Sequence, residues 1–145
     1  MRTLCAVFAH PDDESFSSGG TLSRYAAEGV EITLVTATSG EAGMITGEKL
    51  EIADLRSWRE RELRKAAGIL GVKHVRLLGL PDGKLAESSQ ALTQSIRGIL
   101  FEIRPQVVLT EDVQGITGHP DHVAVTHAVV RAVEDLGESG PLKIY

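Results

Sequence analysis

Short apolar runs alternate with stretches of helical periodicity along most of the chain. The apolar runs cover residues 4–9, 31–37, 74–78 and 106–110, and the helical patterns cover residues 20–28, 49–70, 88–103 and 122–136. Runs without polar alternation are typical of strands that are buried on both faces, as in parallel sheets. Strands that alternate with helices of this length indicate βαβ units. The pattern therefore predicts an α/β fold, a Rossmann-like, doubly wound, mostly parallel sheet with helices on both faces, in three layers.

The length of the chain and its last residues bear on domain organisation. The chain has 145 residues, a size at which roughly two thirds of the unfolded surface is buried on folding, so we expect a single domain over residues 1–145. Residues 142–145 have the composition of one further strand. Because a short final strand leaves an edge exposed, a homo-oligomer is an open alternative to a monomer.

Composition narrows the class of partner. The net charge is -5, and no stripe of Lys and Arg is present, which argues against nucleic acid or an anionic membrane as the partner. No segment approaches the ~20 apolar residues that span a bilayer. The chain has one cysteine and therefore no internal disulfide, and its first residues lack a signal-peptide pattern. We expect a cytoplasmic protein that acts on a small neutral or polar molecule.

Two copies of a His-Pro-Asp pattern lie near opposite ends of the chain, each after a strand-like run. They are Ala9-His10-Pro11-Asp12-Asp13-Glu14 and His119-Pro120-Asp121-His122. In doubly wound sheets, ligands bind outside the carboxyl ends of the strands. Imidazoles and carboxylates are zinc ligands, and three protein ligands with one open position are typical of a catalytic zinc site. We therefore predict a metal-dependent hydrolase whose metal ligands are His10, Asp13 and His122.

The remaining polar groups of the two motifs have predicted chemical roles. Asp12 would lie beside a metal-bound water, whose pKa falls toward ~7, and it is the candidate general base. The same carboxyl, once protonated, would give its proton to a leaving amine. A protonated His119 would stabilise the oxyanion of a tetrahedral intermediate, and Asp121 would hold the His119 ring and keep it cationic.

Less specific interpretations exist for each of these features. Asp-rich turns also cap helices, which by itself would explain either motif. His74 and His127 are expected to be structural or surface residues, with His127 as the second-choice ligand. Cys5 lies in the first strand and is expected in the core, not as a catalytic thiol. The turn at residues 17–20 lacks the glycine pattern of a dinucleotide-binding loop.

Both motifs are intact, and through them this chain resembles a known family, the LmbE-like or PIG-L-like zinc-dependent N-acetylglucosamine deacetylases. Secondary marks of the resemblance are Thr38-Ser39-Gly40-Glu41, Arg59 with Glu62, Leu70-Gly71 and Asp82-Gly83. They extend over nearly the whole chain. Members of the family are considerably longer, so the resemblance implies a deacetylase domain that lacks the usual C-terminal part, which helps to close the substrate cleft.

The resemblance also implies a role for each matching residue. The implied zinc ligands are His10, Asp13 and His122, in agreement with the spacing argument. The implied base is Asp12, and the implied oxyanion groups are His119 and Asp121. The positions that match sugar-hydroxyl contacts are Glu41, Arg59 and Asp82. Zinc is the expected cofactor, and ferrous iron suits the same set of two histidines and one carboxylate.

The implied activity is removal of the acetyl group from an N-acetylated amino sugar of the N-acetylglucosamine type, or from its conjugate. The implied partner is therefore a small amino-sugar molecule. Two alternatives remain open. The first is an amidase that acts on another small amide, such as a thiol conjugate. The second is a catalytically silent module that binds a metal or a sugar, since a fold does not by itself establish an activity.

Overall fold

A computed structural model describes residues 1–43 and 54–145 of the chain, with five strands and five α-helices in this part. The strands are β1 (Thr3–Phe8), β2 (Glu31–Thr36), β3 (His74–Leu77), β4 (Val107–Leu109) and β5 (Lys143–Ile144). The helices are α1 (Asp13–Ala27), α2 (Leu55–Ile69), α3 (Ser89–Ile103), α4 (Gly115–Gly118) and α5 (Pro120–Leu136), and a 3₁₀ turn follows at Gly137–Ser139. The strand order is β3-β2-β1-β4-β5, and every pairing is parallel. The predicted α/β fold is confirmed.

Alternate residues of β1 belong to two separate hydrophobic cores. Leu4, Ala6 and Phe8 are buried in a cluster with side chains of α1 and α2. Cys5 and Val7 are buried in a second cluster, with side chains of α3 and α5. Because successive side chains of a strand point to opposite faces of the sheet, helices cover both faces. The fold therefore has the three layers that the continuous apolar runs predicted.

The order of the strands reverses beside β1. The chain proceeds from β1 through β2 to β3 at one edge of the sheet, and α3 then carries it back to β4 on the other side of β1. The crevice outside the carboxyl ends of the strands at such a point is the usual ligand site of open α/β sheets. Phe8 is paired with Thr36, and Ala6 with Leu109, so the loops after β1, β2 and β4 leave the sheet at one edge. Both His-Pro-Asp motifs therefore open onto this crevice.

Some boundaries differ from those predicted. Helix α1 begins at Asp13, whereas the periodic pattern begins at residue 20. The intervening Ser and Gly residues are weak helix formers, but Asp13 and Glu14 in the first turn complement the positive end of the helix dipole. Helix α2 is described from Leu55, and the predicted helical residues 49–53 lie outside the described part. No helix within residues 1–43 or 54–145 has the length and apolar character needed to cross a membrane.

Candidate functional site

The first motif forms a strained turn between β1 and α1. Asp12 has φ 116° and ψ -28°, in the left-handed region that non-glycine residues rarely adopt. Its carbonyl oxygen accepts hydrogen bonds from the N–H groups of Ser15 and Phe16 at 2.9 and 3.0 Å, and Glu14 Oε2 accepts the N–H of Asp12 at 3.0 Å. The Asp12 side chain makes no capping hydrogen bond to the helix. The interpretation of this carboxylate as a helix cap is therefore wrong, and the side chain instead lines a cavity.

The second motif begins helix α5. His119 is the N-cap residue, and its Nδ1 accepts a hydrogen bond from the N–H of Asp121 at 3.2 Å. Helix α4 passes close to the motif at Gly115, which has φ +69°. A Cβ atom at this position would lie 2.9 Å from the Cβ of His122. Glycine is therefore required for α4 to approach His122 in this way.

The three predicted metal ligands lie together. His10 Nδ1 is 3.2 Å from His122 Nε2 and 3.4 Å from Asp13 Oδ2, while His122 Nε2 is 3.3 Å from Asp13 Oδ1. Ligand atoms around a tetrahedral zinc, with bonds of ~2.0–2.1 Å, are separated by about 3.3–3.4 Å. The donor atoms and their spacing thus fit one metal ion, although the two imidazoles contact different oxygens of Asp13.

Other combinations of nearby side chains also offer ligand atoms within 4.8 Å of one another. These sets are His10, His119 and His122; His10, Asp82 and Asp121; and Asp13, Glu111 and His122. The crevice is therefore rich in metal-ligating groups, and the assignment of His10, Asp13 and His122 as the ligand set stays a prediction.

Carboxylates lie beside the outward nitrogens of both histidines. His10 Nε2 is 3.1 Å from Asp82 Oδ1 and 3.2 Å from Asp121 Oδ2. His122 Nδ1 is 3.0 Å from Glu111 Oε2 and 3.2 Å from the carbonyl oxygen of Gly115. Such acceptors orient a metal-binding imidazole and determine which of its nitrogens carries the proton.

Glu111 has no role in the sequence-based prediction. It lies buried just after β4, and its Oε2 makes no hydrogen bond of good geometry among the described residues, in spite of its short distance from His122. The position of Glu111 in the sequence could have identified it, because it directly follows an apolar strand, at the carboxyl edge of the sheet. Asp12 and Asp13 follow β1 in the same way.

Interactions among the clustered charges shift several pKa values in the site. Burial opposes protonation of His10, but the hydrogen bond and charge of Asp13, aided by Asp121 and Asp82, raise its pKa to about 9. For Asp13, burial is outweighed by His10 and His122, so its pKa is lowered. Burial and the charge of Asp13 raise the pKa of Glu111 to about 8. The pKa of Asp12 is also raised, since burial there exceeds the opposing effect of the Arg59 charge.

Asp121 makes different contacts from those expected. Its carboxylate is fully buried and accepts hydrogen bonds from the N–H groups of Gly83 at 2.8 Å and Leu85 at 3.0 Å, and it lies beside His10. The expected hold of this carboxylate on the ring of His119 is not seen, because it is the backbone N–H of Asp121 that meets that ring.

The three predicted sugar contacts are engaged with neighbouring groups of the protein. Arg59 donates to Asp12 Oδ2 at 2.8 Å. Glu41 Oε1 accepts the N–H of Asp82 at 3.1 Å, and Asp82 Oδ2 accepts the N–H of Ala42 at 2.8 Å. The two bonds of Asp82 join the loops that follow β2 and β3. Glu41 Oε2 is buried and has no hydrogen-bond partner within the described residues.

A cavity of about 330 Å³ lies beside these groups. The predicted site residues that line it are His10, Asp12, Asp13, Arg59, Asp82, His119 and His122. A larger cavity, of about 500 Å³, lies beside α1 and β4, but no histidine, aspartate or glutamate of the described residues lines it. The smaller cavity is therefore the candidate active site.

The other candidate groups lie away from this cavity. His74 is half exposed and is 3.5 Å from Glu31, and His127 is exposed on α5. Neither belongs to a cluster of metal-ligating groups in residues 1–43 and 54–145. Cys5 is completely buried, and burial raises the pKa of its thiol to about 12. Such a thiol is unreactive at neutral pH, as expected for a core residue.

Comparison with known proteins agrees with the motifs and the fold. The sequence pattern of the GlcNAc-PI de-N-acetylase (PIG-L) family matches residues 5–133. A 1D-myo-inositol 2-acetamido-2-deoxy-α-D-glucopyranoside deacetylase from Geodermatophilus obscurus is 38% identical over 157 aligned positions, which cover 92% of this chain and 53% of the relative. A protein of the same name from Acidothermus cellulolyticus is 39% identical, with coverage of 92% and 54%.

A solved structure shares the fold. The N,N'-diacetylchitobiose deacetylase from Pyrococcus horikoshii superposes with a TM-score of 0.80 at 29% identity, over 92% of this chain and 49% of that chain. The chain thus spans about half the length of the curated relatives that it matches. Since the family pattern covers most of the 145 residues and includes both motifs, the chain belongs to the GlcNAc-PI de-N-acetylase (PIG-L) family.

Proposed function

We propose that this chain carries the metal-binding and catalytic groups of a hydrolase that removes the acetyl group from an N-acetylated amino sugar or its conjugate. The observation that carries the proposal is the convergence of His10, Asp13 and His122, with the carboxylate of Asp12 beside them in the same cavity. Metal-dependent amide hydrolysis needs this combination of a ligand set and a separate group that transfers protons.

His10, Asp13 and His122 are the proposed ligands, and zinc is the proposed ion, with ferrous iron as the alternative for this donor set. When bound, such an ion supplies a Lewis acid that polarises a carbonyl group and lowers the pKa of water to ~7. The protein holds the donors in place from outside, through Asp82 and Asp121 at His10 and through Glu111 and Gly115 at His122. These contacts leave His10 Nδ1 and His122 Nε2 facing each other.

Asp12 is the proposed general base. Arg59 holds its Oδ2, and Oδ1 is the oxygen that accepts a proton from a water molecule in the cavity. The raised pKa of Asp12 makes its carboxylate a better base than an ordinary aspartate. The protonated carboxyl then returns the proton to the nitrogen of the leaving amine.

His119 is the proposed oxyanion donor. Because its Nδ1 faces the N–H of Asp121, its Nε2 is the ring nitrogen that would donate a hydrogen bond to the developing oxyanion. Asp121 supports the site in two places, since its backbone orients His119 and its carboxylate contacts His10.

A small amino sugar of the N-acetylglucosamine type is the proposed substrate. The names of the two deacetylases in the comparison describe an N-acetylated glucoside, and a cavity of about 330 Å³ is suited to a small molecule. Among the residues that the resemblance matches to sugar contacts, Glu41 has a buried oxygen with no partner in the described part of the chain, which suits a sugar hydroxyl. The single buried cysteine supports a cytoplasmic location.

The metal site is tested by metal content. We expect about one zinc or iron per wild-type chain after purification without chelators, and none in a His10→Ala, Asp13→Ala double variant. His127→Ala is the matched control, since this histidine is exposed and lies outside the cluster. Equal and negligible metal in wild type and double variant, persisting after metal is added back, would exclude the proposal.

The reaction is tested by acetate release from N-acetylglucosamine conjugates. Asp12→Asn should bind metal normally and lose roughly 10²–10⁴ in rate, the usual contribution of one general base. A panel of other small amides, including thiol conjugates, separates the deacetylase from the amidase alternative. Sugar binding without any acetate release would instead favour a silent binding module.

A further inference from the structure

The guanidinium group of Arg59 is held by acceptors from two loops. From helix α2, its Nη2 donates to Asp12 Oδ2 at 2.8 Å and to the carbonyl oxygen of Pro11 at 2.6 Å. Its Nη1 donates to the carbonyl oxygen of Gly40 at 2.9 Å. The group is mostly buried, with 18% of the side chain exposed. Planar, multidentate contacts of this kind hold both partners in a defined geometry.

Two glycines make room for this guanidinium, and we call Gly40 and Gly43 the glycine seat. A Cβ atom on Gly40 would lie 2.1 Å from Arg59 Nη1, and a Cβ on Gly43 would lie 2.8 Å from the same atom. Gly40 also has φ +68°, which disfavours other residues. A side chain at either position would therefore displace the guanidinium.

The glycine seat is fixed to the end of β1. The N–H of Gly40 donates to Thr38 Oγ1 at 3.1 Å, and this buried hydroxyl donates to the carbonyl oxygen of Ala9 at 3.1 Å. The N–H of Gly43 donates to the carbonyl oxygen of Gly40 at 3.1 Å. The seat and the first motif therefore form one hydrogen-bonded unit, with Arg59 between them.

We propose that Arg59 is a positioning residue that holds the carboxylate of Asp12, and that Gly40 and Gly43 act through Arg59. The inference rests on the proposed function of Asp12 as the base. Asp12 has a strained backbone and a half-exposed side chain, so the orientation of its carboxylate depends on a contact such as the one with Arg59.

The test compares Gly43→Ala and Arg59→Lys with Gly68→Ala. Gly43 does not have a positive φ, so alanine suits its backbone, and Gly68 lies in α2 with nothing within 4 Å of its Cβ position. Misplacement of a reacting group by about 1 Å lowers the rate by up to 10²-fold. We expect Gly43→Ala and Arg59→Lys to lower kcat by roughly 10–100-fold, with KM and metal content little changed. Gly68→Ala should behave as wild type.

A double-mutant comparison separates positioning from substrate contact. In an Asp12→Ala background, Gly43→Ala should cause no further loss, because the group that is positioned is gone. A sugar-contact role would raise KM and would persist in that background. Either of these two results would overturn the inference.

A spectroscopic measurement tests the inference without relying on enzyme turnover. Restricted rotation of the guanidinium should give separate ¹⁵Nη resonances for Arg59 in the wild type, and these should merge in Gly43→Ala. If the wild type releases no acetate but shows separate resonances, the proposed function fails while the seat stands. Averaged resonances in the wild type would refute the seat itself.

Discussion

Replacement of Asp121 by asparagine is expected to destabilise the protein even though the two side chains have the same shape. The buried carboxylate accepts the N–H of Leu85 at Oδ1 and the N–H of Gly83 at Oδ2. An amide has one accepting oxygen, so Asp121→Asn places an NH₂ group against one of these donors. One buried donor without a partner costs about 1–3 kcal/mol of unfolding free energy. Asp121→Ala removes both acceptors, and we expect about 3–5 kcal/mol.

The assay is urea unfolding, followed by far-UV circular dichroism with a chelator present, so that metal binding does not contribute. Asp135→Asn on the same helix is the control, because its partly exposed side chain pairs with Arg131 at the surface and should change stability by less than ~1 kcal/mol. An Asp121→Asn variant within ~0.5 kcal/mol of the wild type would refute the argument, since that is the ordinary effect of a surface substitution. Metal affinity should also fall by roughly 10–100-fold, because a neutral amide replaces one of the two carboxylates that contact the outward nitrogen of His10.

Three further predictions concern stability. Gly68→Ala and Gly98→Ala, both at exposed helix positions with open space around the added Cβ, should each raise the unfolding free energy by about 0.5–1 kcal/mol in the same urea assay; a decrease would contradict the open space seen there. In the metal-free protein, the stabilisation from protonated His10 should be complete below its ordinary pKa of 6.5 and lost as the pH rises through its raised pKa of about 9. The cost of ionising the buried Glu111 should develop between pH 4.5 and its raised pKa of about 8. Both effects should lower the urea midpoint from pH 6 to pH 9, and a rise would contradict these pKa shifts. Leu92→Ala should lower the unfolding free energy by about 2–5 kcal/mol, because this fully buried side chain lies in the core between the sheet and α3, and a loss below ~1 kcal/mol would show that the core refills the space.

The local pattern of apolar and polar residues was sufficient to predict most of the strands and helices. The apolar run before the first motif is β1, and the spacing of Leu92, Ile96 and Leu100 corresponds to the buried face of α3. The start of α1 was missed because Ser15 and its small neighbours have weak helix propensity, whereas the buried Leu22 holds that helix against the sheet. Propensity is a local property, and packing of this kind is not visible in it.

The order of the residues alone predicts that two His-Pro-Asp motifs follow strands of a parallel sheet, and hence that their imidazoles and carboxylates share one edge. The contacts of each group required the tertiary structure. Asp121 turns its carboxylate to His10 and to the loop after β3, Arg59 reaches Asp12 across a glycine seat, and Glu111 approaches His122. Periodicity and spacing follow from neighbours along the chain, whereas these contacts depend on the distances and directions between groups that only the packed sheet and helices bring together.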